Sequence, residues 1–384
     1  MLFRSNSGAQ IVSELARWRP GPVHTLVYTH GHIDHVGGSG AFAAHNRDNG
    51  HGDLRVVGHE NVQRRFDRYR ATDAWNQLIN ARQFGGVRDD LGMVNDLRPA
   101  SGGGRLGFFL PPDTVDVGVT VGDFRSETIG GTVVEYHHGK GETDDHLWTW
   151  FPEKKWVATG DFVIWNFPNA GNPQKVQRWP IEWAATLRRI IAKEPELLLP
   201  AHGLPIAGRE RIARVLDEIA TALEDLVRDV LGMMNSGATL DEIVHTVRVP
   251  ADTLAKPYLR PLYDEPEFVV RGVWRQFGGW WDGAPSRLKP ARDAQVGTEL
   301  AALAGGADVL VRRAHEIALA GDLRLACHLA DFAGWAEPSD PEIHETRAAI
   351  YEMRRKAESS LMAKGIFKGA ARESEAAVKR AQES

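Results

Sequence analysis

The stretch Thr29-His30-Gly31-His32-Ile33-Asp34-His35-Val36-Gly37-Gly38 places three histidines and an aspartate within six residues, directly after the apolar run Val23 to Tyr28. The run reads as a strand, so the polar cluster occupies a turn at a strand tip, where several side chains can converge on one point. Neutral imidazoles with a carboxylate suit Zn2+ or a similar borderline cation, and such a turn leaves room for water beside the ligands. The pattern predicts a metal site, and a hydrolytic centre is the chemistry expected of it.

Outward from this stretch, short apolar runs at Val23 to Tyr28, Leu54 to Val57, Thr114 to Val121, Thr132 to Tyr136, Leu147 to Phe151 and Trp156 to Thr159 read as strands. Helical periodicity intervenes at Gly8 to Trp18, Glu60 to Gln83 and Ile181 to Lys193. That alternation predicts an α/β fold with two sheets between helices. Arg82 to Leu110, with Gly102-Gly103-Gly104, reads as a long loop near the site and a candidate substrate lid. Past His202 the pattern is helical: Arg209 to Met234, Leu240 to Val247, Glu265 to Phe277, Ala307 to Ala320, Leu323 to Trp335 and Pro341 to Lys356. Gly321-Asp322 is expected to stop one helix and cap the next. Two domains are expected, 1-206 and 207-384.

The order His-x-His-x-Asp-His in this context resembles the metallo-β-lactamase superfamily, in which the loop supplies ligands to two neighbouring metal ions. Three later segments are similar to its remaining ligand positions: Gly141-Glu142-Thr143-Asp144-Asp145-His146, Ala158-Thr159-Gly160-Asp161 and Leu197-Leu198-Leu199-Pro200-Ala201-His202-Gly203. Carried over residue by residue, the resemblance implies one metal held by His30, His32 and Glu142, a second held by Asp34, His35 and His202, and Asp161 as a bridge. His137 and His138 lie just upstream of Glu142 and stand as alternatives for its place.

Surrounding residues narrow the resemblance to the alkyl sulfatase branch. Asn169-Ala170-Gly171-Asn172-Pro173-Gln174-Lys175-Val176-Gln177-Arg178 looks like bacterial alkyl-sulfatase-like hydrolases. The segments Ala320 to Ala330 and Ser360 to Gly365 are similar to the helical dimerisation domain of alkyl sulfatases. The resemblance implies an αββα sandwich followed by an all-α domain, and a homodimer through that domain. Since the chain opens almost directly on a helix where the superfamily has strands, it also implies that N-terminal strands are missing.

Such a protein is expected to be a dinuclear zinc hydrolase, with two Zn2+ per chain, acting on alkyl sulfates or related small anionic esters. Water between two divalent cations loses its proton near neutral pH and becomes the nucleophile, with Asp34 and Asp161 nearest the chemistry. Two other readings stand beside this one: hydrolysis of a lactone, thioester or β-lactam, and a noncatalytic dimeric scaffold. A sulfate ester also needs donors away from the metals, and Arg178, Lys175 and Asn172 are the candidates. The planar fork of Arg178 matches a tetrahedral oxyanion better than the point charge of Lys175 does, while turn formation explains Asn172 and Asn169 equally well. Among the 12 tryptophans, Trp165 and Trp179 are candidate pocket residues, and Trp148 and Trp150, on one face of a strand, read as core.

Lys and Arg number 46 against 51 Asp and Glu, a net charge of −5, which disfavours a nucleic-acid partner because that needs a basic footprint. The lone Cys327 excludes an internal disulfide framework. No apolar run is long enough to span a bilayer, and Met1 to Arg19 lacks the apolar stretch of a signal peptide. As written, the chain is expected in the cytoplasm, an expectation that a missing leader would change.

Overall fold

The apolar run ahead of the histidine cluster forms strand β1 (Thr25–Val27), parallel to β2 (Arg55–His59), which is parallel in turn to β3 (Val119–Val121). The computed structural model describes residues 5–84 and 108–383. A second sheet runs β4 (Phe124–Ile129), β5 (Thr132–His138), β6 (Leu147–Phe151), β7 (Trp156–Gly160), β8 (Leu197–Pro200) and β9 (Ile206–Ala207) in spatial order, with β7 and β8 the parallel pair.

Side-chain alternation sets the layers. On β2, Val56 points outward and packs with Tyr28, Val62, Phe66 and Tyr69, whereas Val57 points inward and meets Val121, Val134, Tyr136 and Leu147 across the two sheets. Next along β6, Trp148 and Trp150 turn to the opposite face and join Val157, Leu198 and Ile206 against a helical layer. These faces define helix, sheet, sheet and helix in order. The outer residues Val62, Phe66 and Tyr69 come from α4 (Asn61–Ala71), which follows α1 (Ser5–Trp18), α2 (Ile33–Val36) and α3 (Ser39–Asp48). On the far side lie α6 (Pro180–Ile191), α7 (Arg209–Asn235), α8 (Leu240–Thr246) and α10 (Pro266–Gly278), which supply Leu187, Leu216, Leu223, Ile243 and Val269 to the core; α5 (Asp73–Phe84) and α9 (Ala251–Leu254) complete the order to this point.

By packing, the described residues form two units, 5–77 with 108–280 and 78–84 with 281–383. The first holds both sheets and the helices through α10, except that α5 is divided between the two units. The second holds α11 (Pro285–Leu288), α12 (Asp293–Ala304), α13 (Ala307–Leu319), α14 (Leu323–Ala336), α15 (Pro341–Ala357) and α16 (Leu361–Glu383). Its core joins Leu310, Val311 and Ala314 of α13 to Ala326, Ala330 and Ala333 of α14 and to Ile343 and Ile350 of α15. Asp322 caps α14 as its spacing indicates, its side chain accepting from the Leu325 N–H at 3.1 Å. Among the described residues, no helix is long and apolar enough to cross a membrane.

Several elements differ from the sequence reading. The run Thr114 to Val121 is a strand only over its last residues, because the Val115 N–H donates to Ser39 Oγ rather than to a neighbouring strand. Glu60 to Gln83 is two helices, α4 and α5, with Thr72 between them folding its hydroxyl back onto the Arg68 carbonyl. Strand β4 carried little signal since most of its side chains are exposed. Most of the expected loop Arg82 to Leu110, the candidate lid, lies outside the described residues.

Phe66 is fully buried, edge-on to Tyr28 at 6.2 Å, and joins α4 to the three-stranded sheet. Phe66→Ala is expected to cost about 3–5 kcal/mol, read as a lowered midpoint in urea unfolding.

Candidate metal centre

Strand ends from both sheets meet at one edge of the sandwich. As the chain leaves β1, the Thr29 carbonyl accepts the Leu147 N–H at 2.6 Å, which ties the exit of one sheet to the first residue of β6 in the other. His32 then opens the single turn α2: the His35 and Val36 N–H groups donate to its carbonyl at 2.9 and 3.1 Å, and Val36 is buried as the anchor. That turn folds Asp34 and His35 back, so the His35 ring lies 4.2 Å from the His30 ring. Glu142 comes from the connection between β5 and β6. Asp161 follows β7, whose register against β8 shifts between Ala158 and Gly160, and such irregularities re-aim the side chains that follow. His202 follows β8.

Seven residues converge in two groups whose potential ligand atoms lie within 4.8 Å of one another: His30, His32, Glu142 and Asp161, and then Asp34, His35 and His202. In the first group His30 Nε2 is 2.9 Å from His32 Nδ1, which is 3.4 Å from Glu142 Oε1. In the second, Asp34 Oδ2 lies 3.3 Å from His35 Nε2 and 3.4 Å from His202 Nε2. Asp161 faces both: Oδ2 is 3.9 Å from His30 Nε2, while Oδ1 is 3.3 Å from His35 Nε2 and 3.5 Å from His202 Nε2. All seven sequence-derived candidates are therefore in one place. His137 and His138 are not with them. The former stacks on Trp148 at 4.1 Å and pairs with Glu135, and the latter stacks on His59 at 4.0 Å with its Nε2 at the Asp144 carbonyl.

Electrostatics separates the groups' protonation states. Burial, reinforced by neighbouring His35 and His32, holds His30 well below the usual imidazole range, and burial with the Arg178 charge does the same to His32. His35 is pushed the other way: burial opposes its charge, but Asp161 and Asp34 outweigh it. Burial also works against ionisation of Asp34 and Asp161, yet His35 and His202 keep both below the normal carboxylate range. Glu142 is raised well above its usual value by burial and then by the Asp161 charge.

Buried donor atoms test whether this set fits a cation. Among the described residues, Glu142 Oε2, Asp161 Oδ1 and His35 Nε2 have no hydrogen-bond partner, although buried polar atoms are nearly always paired. These atoms lie in the same two groups as the ring nitrogens of His30, His32 and His202. Histidine nitrogens and carboxylate oxygens are the ligand types of Zn2+ and similar ions, so the residues fit a metal cofactor. Holding contacts surround them. Thr29 Oγ1 lies 3.2 Å from His30 Nδ1, the Asp161 N–H donates to His146 Nε2 at 3.2 Å, and Asn169 Nδ2 donates to Glu142 Oε1.

Arg178 is buried beside the first group, donating to the Glu142 carbonyl with Nη2 3.5 Å from Glu142 Oε1. Lys175 is half-buried, and desolvation with the charges of Arg178 and Arg68 pulls its ammonium down to about 7. Asn172 builds the turn beneath it: its side chain accepts from the Gln174 N–H, at a left-handed φ of 24°. Asp264, unmarked in the sequence reading, accepts from the Gly171 and Asn172 N–H groups at 2.6 and 3.1 Å, and burial raises its carboxyl to about 6. Tyr263 beside it is kept protonated by burial and by the charges of Glu142 and Asp34. Neither residue had a local signal, because both lie more than 100 positions downstream of Asp161. Trp165 donates from Nε1 to the Leu204 carbonyl at 2.8 Å and lies against Gly203, where an added Cβ would sit 2.1 Å from the ring. Gly203, at φ 97°, thus lets the indole press on the turn that carries His202.

Two family models match the chain in succession. The family model described as metallo-beta-lactamase superfamily matches residues 5–202, and that described as alkyl sulfatase dimerisation matches 239–377. A linear primary-alkylsulfatase from Pseudomonas sp. is 27% identical over 352 residues, covering 89% of this chain and 65% of its own length. An alkyl/aryl-sulfatase of Saccharomyces cerevisiae is 22% identical, covering 96% of this chain and 58% of its own. The chain therefore spans less than two thirds of these curated relatives. The solved structure of the stereoselective inverting sec-alkylsulfatase Pisa1 from Pseudomonas sp. superposes with a TM-score of 0.81 at 21% identity, over 97% of this chain and 60% of that one.

With Asp161 facing both groups and His202 only one, Asp161→Ala is expected to remove nearly all bound metal and His202→Ala roughly half. Mass-spectrometric metal content after dialysis against Zn2+ checks both.

Proposed function

This chain belongs to the metallo-beta-lactamase superfamily, and we propose that it is a dinuclear zinc hydrolase of alkyl sulfates or related small anionic esters. His30, His32 and Glu142 would hold one Zn2+, Asp34, His35 and His202 the other, with Asp161 shared. The observation that carries the reading is the split Asp161 carboxylate, with Oδ2 toward His30 and Oδ1 toward His35 and His202. The alkylsulfatase relatives support the substrate class.

When bound, a pair of divalent cations supplies Lewis acidity toward an ester oxyanion and lowers the pKa of water to near neutrality. The chain's own residues do the rest. Asp34 and Asp161, held ionised by His35 and His202, accept hydrogen bonds and orient a water at the centre. Asn169 and Arg178 fix the Glu142 carboxylate from behind. Arg178, through its field, and Lys175, carried on the turn that Asn172 builds, would supply the positive charge that draws an anionic ester. Trp165 and the exposed Leu204 form an apolar lip beside His202 that suits an alkyl chain. A homodimer through the helical region matched at 239–377 completes the proposal.

Sulfate release from dodecyl sulfate, measured with Zn2+ loaded and after chelation, tests the reading; a chain that binds metal yet turns over only lactones or β-lactams would replace the substrate class. Arg178→Lys is expected to lower kcat/KM about 10–100-fold, since the planar fork is lost while the charge stays.

Lys175 adds a pH dependence. Its ammonium is depressed to about 7, so the charge that attracts an anionic ester is present below that pH and lost above it. KM should rise as pH passes through about 7, and Lys175→Arg, charged throughout, should flatten the profile.

A further inference from the structure

We propose that the buried Arg65–Asp145 pair is a positioning device that holds the His30-Gly31-His32 turn in ligand geometry. The inference rests on the metal-centre reading above. Asp145 Oδ2 accepts two hydrogen bonds at once, from Arg65 Nε at 2.7 Å and from the Gly31 N–H at 3.1 Å. The two side chains are 4% and 0% exposed, and Arg65 also reaches Asp144 Oδ1 at 2.5 Å.

Gly31 is the peptide between the two first-group imidazoles. A Cβ on it would lie 2.8 Å from Arg65 Cδ and 3.0 Å from Asp145 Oδ2. The turn is therefore bonded on one side and walled by the same pair. For His30 Nε2 and His32 Nδ1 both to offer lone pairs to a cation, neither can donate to the other, so their 2.9 Å approach must be imposed from outside the rings. No other described side chain bonds this peptide N–H, and Arg65 comes from α4, so the hold is anchored in a packed helix through Phe66 and Tyr69.

Stability and positioning can be separated. Replacing a buried ion pair by apolar residues of similar volume is often neutral for folding, whereas removing one partner strands a charge. The test is the double variant Arg65→Met/Asp145→Leu in the full chain, with urea unfolding of the metal-free protein, Zn2+ titration against a chelator, and the visible spectrum of the Co2+-loaded protein. Expected are near wild-type unfolding, Zn2+ affinity weakened about 10–100-fold and an altered Co2+ spectrum. Wild-type affinity and spectrum in the folded double variant would overturn the proposal. Should that variant fail to fold, Arg65→Lys, which keeps the charge but loses the fork, serves in its place: several-fold weaker Zn2+ binding supports the hold, and unchanged binding sinks it. If the wild-type chain itself takes up no Zn2+, the metal-centre reading fails and this inference with it; loss confined to the variants isolates the hold.

Discussion

The structure depends on donor atoms that face one buried space and cannot satisfy one another. Asp34, Asp161 and Glu142 bring three carboxyl groups to within a few ångströms, and burial of carboxylates costs several kcal/mol each unless charge compensates it. His35, between Asp34 and Asp161 and pushed by them above the usual imidazole range, offsets part of that, while Glu142 is driven toward its neutral form. What remains unpaired has the atom types of the metal site proposed above. A cation removes the conflict that the fold otherwise has to sustain, so binding and stability are linked.

Sustaining it requires rigid strand ends. Both sheets contribute, and they are joined where it matters, by the bond from Leu147 to the Thr29 carbonyl one residue before His30. The apolar weight lies elsewhere. Trp148, Trp183, Leu187, Leu216 and Leu223 are packed on the helical face of the six-stranded sheet, opposite the contact between the sheets. Local electrostatic cost at the site is thus offset by burial at a distance, a common arrangement where function demands strain.

Much of this was legible in the sequence because the ligands sit on short, ordered motifs. His30 to His35 are adjacent, and Asp161 and His202 each end an apolar strand, so the resemblance to the metallo-β-lactamase superfamily had short motifs to rest on, and the seven positions it implied lie together in the structure. Glu142 against His137 and His138 needed the structure, since the register of β5 with β6 sets His137 on Trp148, and His138 stacks on His59 of β2 in the other sheet. β4 escaped because an exposed edge strand has no alternation to show. Arg65, Asp264 and Tyr263 escaped for a different reason. Their partners are 79 or more residues away, and a single arginine on an amphipathic helix looks like any solvated charge until the fold buries it.

Ligands and holders therefore differ in how the chain encodes them. A ligand must present a particular atom type, which restricts residue identity and leaves a motif. A holder must only supply a donor, an acceptor or a wall at the right distance, so several residue types from several elements can serve. Asp145 shows the intermediate case: it lies inside a motif segment, three residues after Glu142, yet its work is done on Gly31, in another sheet's turn. It follows that a chain could keep all seven ligand residues and still lose the 2.9 Å approach of His30 to His32 if the residues behind them changed. Under the proposed reading, ligand identity is necessary for the chemistry, and the buried pair behind the turn sets its precision.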